Sequence, residues 1–183
     1  MSKPVIGFIG VGFMGAGMAK NLVTKGYPLV IMGNKNREPV ERLKALGATE
    51  ASSPKALAEQ CDIVHLCVTG SPQVEALMNG PHGIFASGKK GLIVIDCSTS
   101  NPVSTKQLAV AAKAQDMHFI DAPLGRTPVE AEAGTLDAMV GADDAVFAKV
   151  KPVIDRTMPM SELKAAYAHM GSRGVMGKLV MVN

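Results

Sequence analysis

The stretch near the N-terminus that decides the fold reads Val5-Ile6-Gly7-Phe8-Ile9-Gly10-Val11-Gly12-Phe13-Met14-Gly15-Ala16-Gly17-Met18-Ala19. It begins with an apolar run that contains β-branched residues, and such a run predicts a strand. The spacing G-x-G-x-x-G follows, and a helical pattern then extends to Lys25. A strand, a tight glycine turn and a helix in this order direct free backbone N–H groups at one point, where a pyrophosphate can bind.

Each glycine of this motif has a separate task. Gly10 permits the turn, Gly12 leaves room for the phosphates, and Gly15 lets the helix pack closely on the strand. The alternative is a glycine-rich loop without a ligand, but the strand before it and the helix after it favour a cofactor. We therefore predict that a dinucleotide binds at Gly10, Val11, Gly12, Phe13, Met14 and Gly15.

Composition and charge limit the class of protein. The 183 residues are enough for one domain with a real core, and 47% apolar with 19% charged residues is typical of a globular protein. A net charge of +3 without a dense Lys/Arg cluster argues against nucleic acid as a partner. The apolar runs are too short to span a membrane, and no leader pattern is present, so we expect a cytoplasmic protein.

The cysteines predict neither disulfides nor a metal site. Cys61, Cys67 and Cys97 are odd in number and lack C-x-x-C spacing. Reduced thiols beside buried strands are therefore expected, and no metal is predicted.

The end of the second predicted strand, 28–32, bears on the choice of cofactor. An NAD-specific site usually has Asp or Glu here for the ribose hydroxyls, whereas this chain has Gly33-Asn34-Lys35-Asn36-Arg37. Asn34 can hydrogen-bond a ribose, and Lys35 or Arg37 can face a 2′-phosphate. The pattern favours NADP over NAD, with a solvated basic loop as the alternative.

The rest of the chain alternates strands with helices. Strands are predicted at 62–68, 92–99, from His118 into a polar loop that ends at Thr127, and at 134–141. This alternation predicts an α/β fold of the Rossmann type, a doubly wound and mostly parallel sheet. Ligands bind at the carboxyl ends of such strands, so Val68 and Thr69 are further candidates for cofactor contact.

Four blocks in order make the first 150 residues or so resemble the β-hydroxyacid dehydrogenase family, which includes 3-hydroxyisobutyrate dehydrogenase and tartronate semialdehyde reductase. The blocks are the glycine motif from Gly7 to Gly15, Asp96-Cys97-Ser98-Thr99 with Pro102, Asp121-Ala122-Pro123, and Gly134-Thr135-Leu136 with Met139-Val140-Gly141. The resemblance implies hydride transfer between NAD(P) and a small hydroxy acid, with Ser98 and Thr99 near the nicotinamide. It also implies a small acid as substrate and a homo-oligomer where the full architecture is present.

One departure from the family pattern concerns the substrate. Most members have Ser-Gly-Gly after the Asp-Ala-Pro block, whereas this chain has Gly125-Arg126-Thr127. This loop is similar to that of the sulfolactaldehyde reductase branch, whose substrate carries a sulfonate. A guanidinium fork and a hydroxyl suit a large oxyanion, so we expect these residues to bind the substrate. A surface arginine without this role is the alternative.

A second departure concerns the tail. The resemblance implies a catalytic Lys with Asn four residues later, on a C-terminal all-helical domain for which the 183 residues show no counterpart. Lys178 and Asn183 are five apart, roughly 140° around a helix, so Lys178 is only a provisional catalytic acid. We therefore divide the chain into a Rossmann domain, 1–150, and a strand–helix–strand tail, 151–183.

The tail leaves alternatives open. It resembles the C-terminal end of medium-chain dehydrogenase/reductases, so a fragment of that group is one alternative to the main hypothesis. A dinucleotide-binding module without turnover, lacking the Lys/Asn helix, is another.

Overall fold

The computed structural model describes residues 2–151, 156–159 and 179–182. Its main feature is a six-stranded parallel sheet with the order β3-β2-β1-β4-β5-β6. The strands are β1 (Ile6–Ile9), β2 (Leu29–Met32), β3 (Thr49–Glu50), β4 (Ile63–Leu66), β5 (Ile93–Asp96) and β6 (His118–Asp121). This order confirms the predicted doubly wound Rossmann-type fold.

Helices separate most of the strands, as the predicted alternation requires, and α6 was not predicted from the sequence. They are α1 (Phe13–Thr24), α2 (Glu38–Ala45), α3 (Pro54–Gln60), α4 (Ser71–Met78), α5 (Pro102–Lys113), α6 (Pro128–Ala133) and α7 (Asp144–Val150). Ser53 caps α3, since its hydroxyl accepts a hydrogen bond from the N–H of Ala56 at 3.1 Å. Asp143 precedes α7, but its side chain makes no capping hydrogen bond.

Both faces of the sheet are buried, and the strand residues divide between two cores. Ile6, Phe8 and Ile31 pack in one core with residues of α1, α2 and α7. Ile9 and Val30 point the other way, into a core with residues of α3, α4 and α5. Strands buried on both faces read as continuous apolar runs, which explains the pattern seen in the sequence.

A second, smaller sheet follows β6. It contains β7 (Leu124–Gly125), β8 (Asp137–Met139), β9 (Arg156–Pro159) and β10 (Leu179–Val182), in the order β7-β8-β10-β9. β7 and β8 are antiparallel, and β10 lies parallel between β8 and β9. The two strands predicted in the tail are therefore present, while the helix predicted between them lies outside the described residues. The division of the chain at residue 150 stays a prediction.

No helix in the described part of the chain is long and apolar enough to cross a membrane.

Candidate dinucleotide site and substrate loop

The glycine loop between β1 and α1 has the geometry that its sequence predicts. Gly10 has a φ of +99°, and a Cβ atom there would collide with the carbonyl oxygen of Cys67. A Cβ atom on Gly15 would collide with the carbonyl oxygen of Gly10 and lie 2.9 Å from the ring of Phe8. Gly12, by contrast, would place its Cβ atom in open space, with no atom within 4 Å. Gly10 and Gly15 are therefore required by the fold, whereas Gly12 leaves room for a ligand.

The start of α1 is suited to an anion. Gly12 is the N-cap residue, and no side chain caps the helix. The first N–H groups of a helix have no acceptor within the helix and lie at the positive end of its dipole. The first turn contains no acidic residue. Val11 is buried, Met14 is half-buried and Phe13 is 91% exposed. The loop therefore fits the pyrophosphate of a dinucleotide, and its individual contacts stay predictions.

Lys35 and Arg37, the two cations predicted to contact a 2′-phosphate, have different surroundings in the structure. Arg37 donates from Nη1 to Glu50 Oε1 at 2.7 Å, and from Nη2 to Glu50 Oε2 at 2.8 Å and Glu41 Oε1 at 2.9 Å. These hydrogen bonds raise the pKa of Arg37 and lower that of Glu50. Asn34 and Lys35 are exposed, and Lys35 makes no ion pair with the described residues. Lys35 is thus available to a ligand, whereas Arg37 is held by carboxylates.

The ends of β4 and β5 are joined by Ser98. Its hydroxyl, in a buried side chain, accepts a hydrogen bond from the N–H of Val68 at 3.0 Å. Its own N–H donates to Asp96 Oδ1 at 2.9 Å, and Ser100 Oγ donates to Asp96 Oδ2 at 2.7 Å. Asp96, which is fully buried, organises this loop, a role that the sequence did not reveal. Ser98 holds the scaffold, while its predicted contact with substrate stays a prediction.

Thr69 and Thr99 are the exposed hydroxyls at this edge of the sheet. Thr99 borders a groove of about 600 Å³ between α4 and α5, which Ser71 and Asn101 also line. Asn101 caps α5 through its side chain, which accepts from the N–H of Val103 at 2.8 Å. Thr99 is therefore better placed than Ser98 to meet a ligand.

The end of β6 lies beside the end of β5. Asp121 is in register with Asp96, and the N–H of Ala122 donates to the carbonyl oxygen of Asp96 at 2.7 Å. Burial, together with the negative charge of Asp96, raises the pKa of Asp121. The segment that leads to the predicted substrate loop is thus attached to the Ser98–Thr99 loop.

The loop of Gly125, Arg126 and Thr127 connects β7 to α6. Gly125 pairs with Asp137 of β8, and Arg126 donates from Nε to Asp137 Oδ2 at 2.5 Å. Thr127 forms a capping box: its Oγ1 accepts from the N–H of Val129 at 3.3 Å, and its own N–H donates to Glu130 Oε2 at 3.1 Å. Its Oγ1 also donates to Glu130 Oε2 at 2.5 Å. These bonds from Thr127 lower the pKa of Glu130. The hydroxyl of Thr127 thus serves the start of α6, while neither Nη group of Arg126 hydrogen-bonds a residue in the described part of the chain.

Helix α6 packs closely on α1. A Cβ atom on Gly17 would lie 2.6 Å from the carbonyl carbon of Ala131. Asn21 Nδ2 donates to the carbonyl oxygens of Ala131 and Glu132 at 3.0 and 3.2 Å, and Lys20 forms an ion pair with Glu132 at 2.5 Å. The helix after the predicted substrate loop therefore packs directly on the helix that begins at the glycine loop.

The proposed acid, Lys178, lies outside the described residues, so its role stays a prediction.

A doubly wound parallel sheet whose first strand enters a helix through G-x-G-x-x-G defines a Rossmann-type, nicotinamide-dinucleotide-binding domain. Residues 5–165 match the family model described as the NAD binding domain of 6-phosphogluconate dehydrogenase. The chain belongs to this family, and its relatives place it among the β-hydroxyacid dehydrogenases, as its sequence predicted.

Two curated relatives illustrate the similarity. The 2-(hydroxymethyl)glutarate dehydrogenase of Eubacterium barkeri is 34% identical over 184 residues, which covers 100% of this chain and 59% of the relative. The 2-hydroxy-3-oxopropionate reductase of Escherichia coli (strain K12) is 36% identical over 151 residues, covering 82% of this chain and 51% of the relative. The chain therefore spans about half the length of the curated relatives it matches.

A solved structure gives the same result for the fold. The Mycobacterium tuberculosis 3-hydroxyisobutyrate dehydrogenase with L-serine has a TM-score of 0.76 and 25% identity, over 82% of this chain and 50% of that one. The resemblance of the tail to medium-chain dehydrogenase/reductases stays a prediction, and the match to the Eubacterium barkeri relative extends through the tail.

Proposed function

We propose that this protein is an NAD(P)-dependent oxidoreductase of the β-hydroxyacid dehydrogenase type. It transfers a hydride between a nicotinamide and a small hydroxy acid or the matching aldehyde acid, and it prefers NADP. The observation that carries the proposal is the uncapped start of α1, with open space at Gly12, at the same sheet edge as the Ser98–Thr99 loop. The names of the three relatives described above, which refer to small hydroxy or oxo acids, support it.

The bound dinucleotide supplies the hydride, and the residues of this chain bind and orient the reactants. The backbone N–H groups at the start of α1 hold the pyrophosphate. Thr99, exposed after the end of β5, contacts the substrate, and Ser98 keeps this loop against Val68. Arg126 binds the acid group of the substrate through its two Nη groups, because its Nε is already used by Asp137.

The preference for NADP rests on Lys35 and Asn34. Both lie exposed directly after β2, where an NAD-specific site would carry a carboxylate for the ribose hydroxyls. Arg37 contributes little to this preference, because Glu50 and Glu41 already hold its guanidinium. The choice of cofactor is therefore assigned to one lysine with a neighbouring amide.

Cofactor binding is tested by titrating the chain with NADPH and with NADH and following nicotinamide fluorescence, which no Trp obscures. We expect tighter binding of NADPH, and Lys35→Ala should bring the two affinities together. Arg42→Ala is the matched control, because Arg42 is a cation on the nearby α2 helix for which no phosphate contact is proposed. A folded chain that binds neither dinucleotide would overturn the proposal.

Turnover is tested with short aldehyde acids and bound NADPH. Oxidation of NADPH that depends on the acid supports the oxidoreductase. Binding of NADPH without oxidation by any of these acids supports the alternative for this chain, a dinucleotide-binding module without turnover.

A further inference from the structure

Asp137 is a buried carboxylate beside the predicted substrate loop. It is the first residue of β8 and only 6% exposed. Its Oδ2 accepts the hydrogen bond from Arg126, whereas its buried Oδ1 has no hydrogen-bond partner among residues 2–151 and the described strands of the tail. Burying a carboxylate with an unsatisfied oxygen is costly, and its ion pair with Arg126 is the described contact that offsets this cost.

Arg126 is held in an unusual conformation. Its φ is +72°, in the left-handed region that residues other than glycine seldom adopt, and its side chain is 23% exposed. Only Nε donates a hydrogen bond to the described residues, so both Nη groups remain available. Because the guanidinium is planar, a bond that fixes its Nε edge also fixes the direction of the opposite edge.

We propose that Asp137 is a positioning residue that aims Arg126 at the acid group of the substrate and makes the site select acids with a single negative charge. The inference rests on the proposed function, in which Arg126 contacts that acid group. A carboxylate or sulfonate then binds across the two Nη groups in a bidentate manner.

The charges around Arg126 support this selectivity. Asp137 forms an ion pair with Arg126 at 2.5 Å. Glu130 is a second carboxylate within its electrostatic reach, since Arg126 contributes, after the hydrogen bond from Thr127, to the lowered pKa of Glu130. Asp137, and more weakly Glu130, therefore offset the one positive charge of Arg126. A phosphate monoester, with nearly two negative charges at neutral pH, would meet more repulsion here than a singly charged acid.

The test compares two probes with the same carbon skeleton, isethionate and hydroxyethyl phosphate. Their Kd values are measured by calorimetry on the full chain, with and without NADPH. We expect isethionate to bind the parent chain about tenfold more tightly than the phosphate, and Asp137→Asn to remove most of this about tenfold preference because it deletes one repulsive charge. A parent chain that binds the phosphate more tightly, or binds neither probe, would overturn the inference without any variant.

A double-mutant cycle with Arg126→Gln separates positioning from a purely structural role. If Asp137 acts through Arg126, Asp137→Asn changes probe binding in the parent chain but adds nothing in the Arg126→Gln background. An unchanged probe ratio in Asp137→Asn, or an equal effect in both backgrounds, contradicts the inference. If the chain fails to bind NADPH, only the proposed function is contradicted. The role of Asp137 is still tested, because the Kd values of the two probes are also measured without cofactor.

Discussion

Replacement of Gly12 by alanine separates the ligand site from the scaffold. The new methyl group would enter open space, since no atom lies within 4 Å of the position. The φ of −80° at Gly12 suits alanine, so the backbone needs no strained conformation. Alanine is a poorer N-cap than glycine, which lowers the free energy of unfolding, whereas it restricts the unfolded chain, which raises that free energy. Each effect is worth about 1 kcal/mol or less. The melting temperature should therefore change little.

The effect on cofactor binding should be much larger. The methyl group occupies the space through which a pyrophosphate approaches the N–H groups of α1. Hydrogen bonds to a charged group contribute about 1.5–3 kcal/mol each, so a loss of one or two, about 1.5–6 kcal/mol, predicts a Kd for NADPH weaker by roughly 10- to 10,000-fold. Nicotinamide fluorescence measures this Kd, and circular dichroism on the same samples reports the fold.

Gly17→Ala is the matched control on the same helix. Its methyl group would lie 2.6 Å from the carbonyl carbon of Ala131, which adds an overpacking cost of about 1–3 kcal/mol to a helix-propensity gain of about 1 kcal/mol. We expect a lower melting temperature with NADPH affinity largely retained. If Gly12→Ala binds NADPH as tightly as the parent chain, backbone amides of this loop do not hold a pyrophosphate and the reasoning is wrong.

Three further predictions follow from the ionisable groups. Glu50→Gln should release Arg37 so that it can contact a 2′-phosphate, which would raise the ratio of the Kd for NADH to the Kd for NADPH. An unaltered ratio would show that this ion pair does not affect the choice between the two cofactors. Burial and the negative charge of Asp96 raise the pKa of Asp121 in the folded protein above its value in the unfolded chain, about 3.9. The folded state therefore favours the protonated carboxyl group. The stability that this protonated group contributes is fully present below about pH 3.9 and is lost as the pH rises through the native pKa. Asp121→Asn should therefore raise the melting temperature at neutral pH but not near pH 4, and the same gain at both would contradict this. Burial raises the pKa of Cys61 to about 12, so mass spectrometry should find this thiol unlabelled in the native chain at mildly alkaline pH, and rapid labelling would refute its burial.

The sheet and the glycine loop could be predicted because their signals are local. The run from Ile6 to Ile9 is followed at once by Gly10, whose φ of +99° suits glycine, and the buried strands are apolar on both faces. Neighbouring residues were enough to infer these features.

The state of the polar side chains could not be inferred in this way. Whether Arg37 is free depends on Glu50, 13 positions away, and whether Arg126 is held depends on Asp137, 11 positions away. Only the folded sheet brings these pairs together. The role of Thr127 was within reach, since Thr127-Pro128-Val129-Glu130 has the spacing of a capping box.

The position of β1 at the middle of the six-stranded sheet has a consequence for the synthesis of the chain. β1 pairs with β2 on one side and with β4, which begins 57 residues after it, on the other. A nascent chain on the ribosome therefore carries an apolar strand with one unpaired edge until residue 66 has emerged. Unpaired edges of this kind promote aggregation, so this interval is when the growing polypeptide depends most on chaperones.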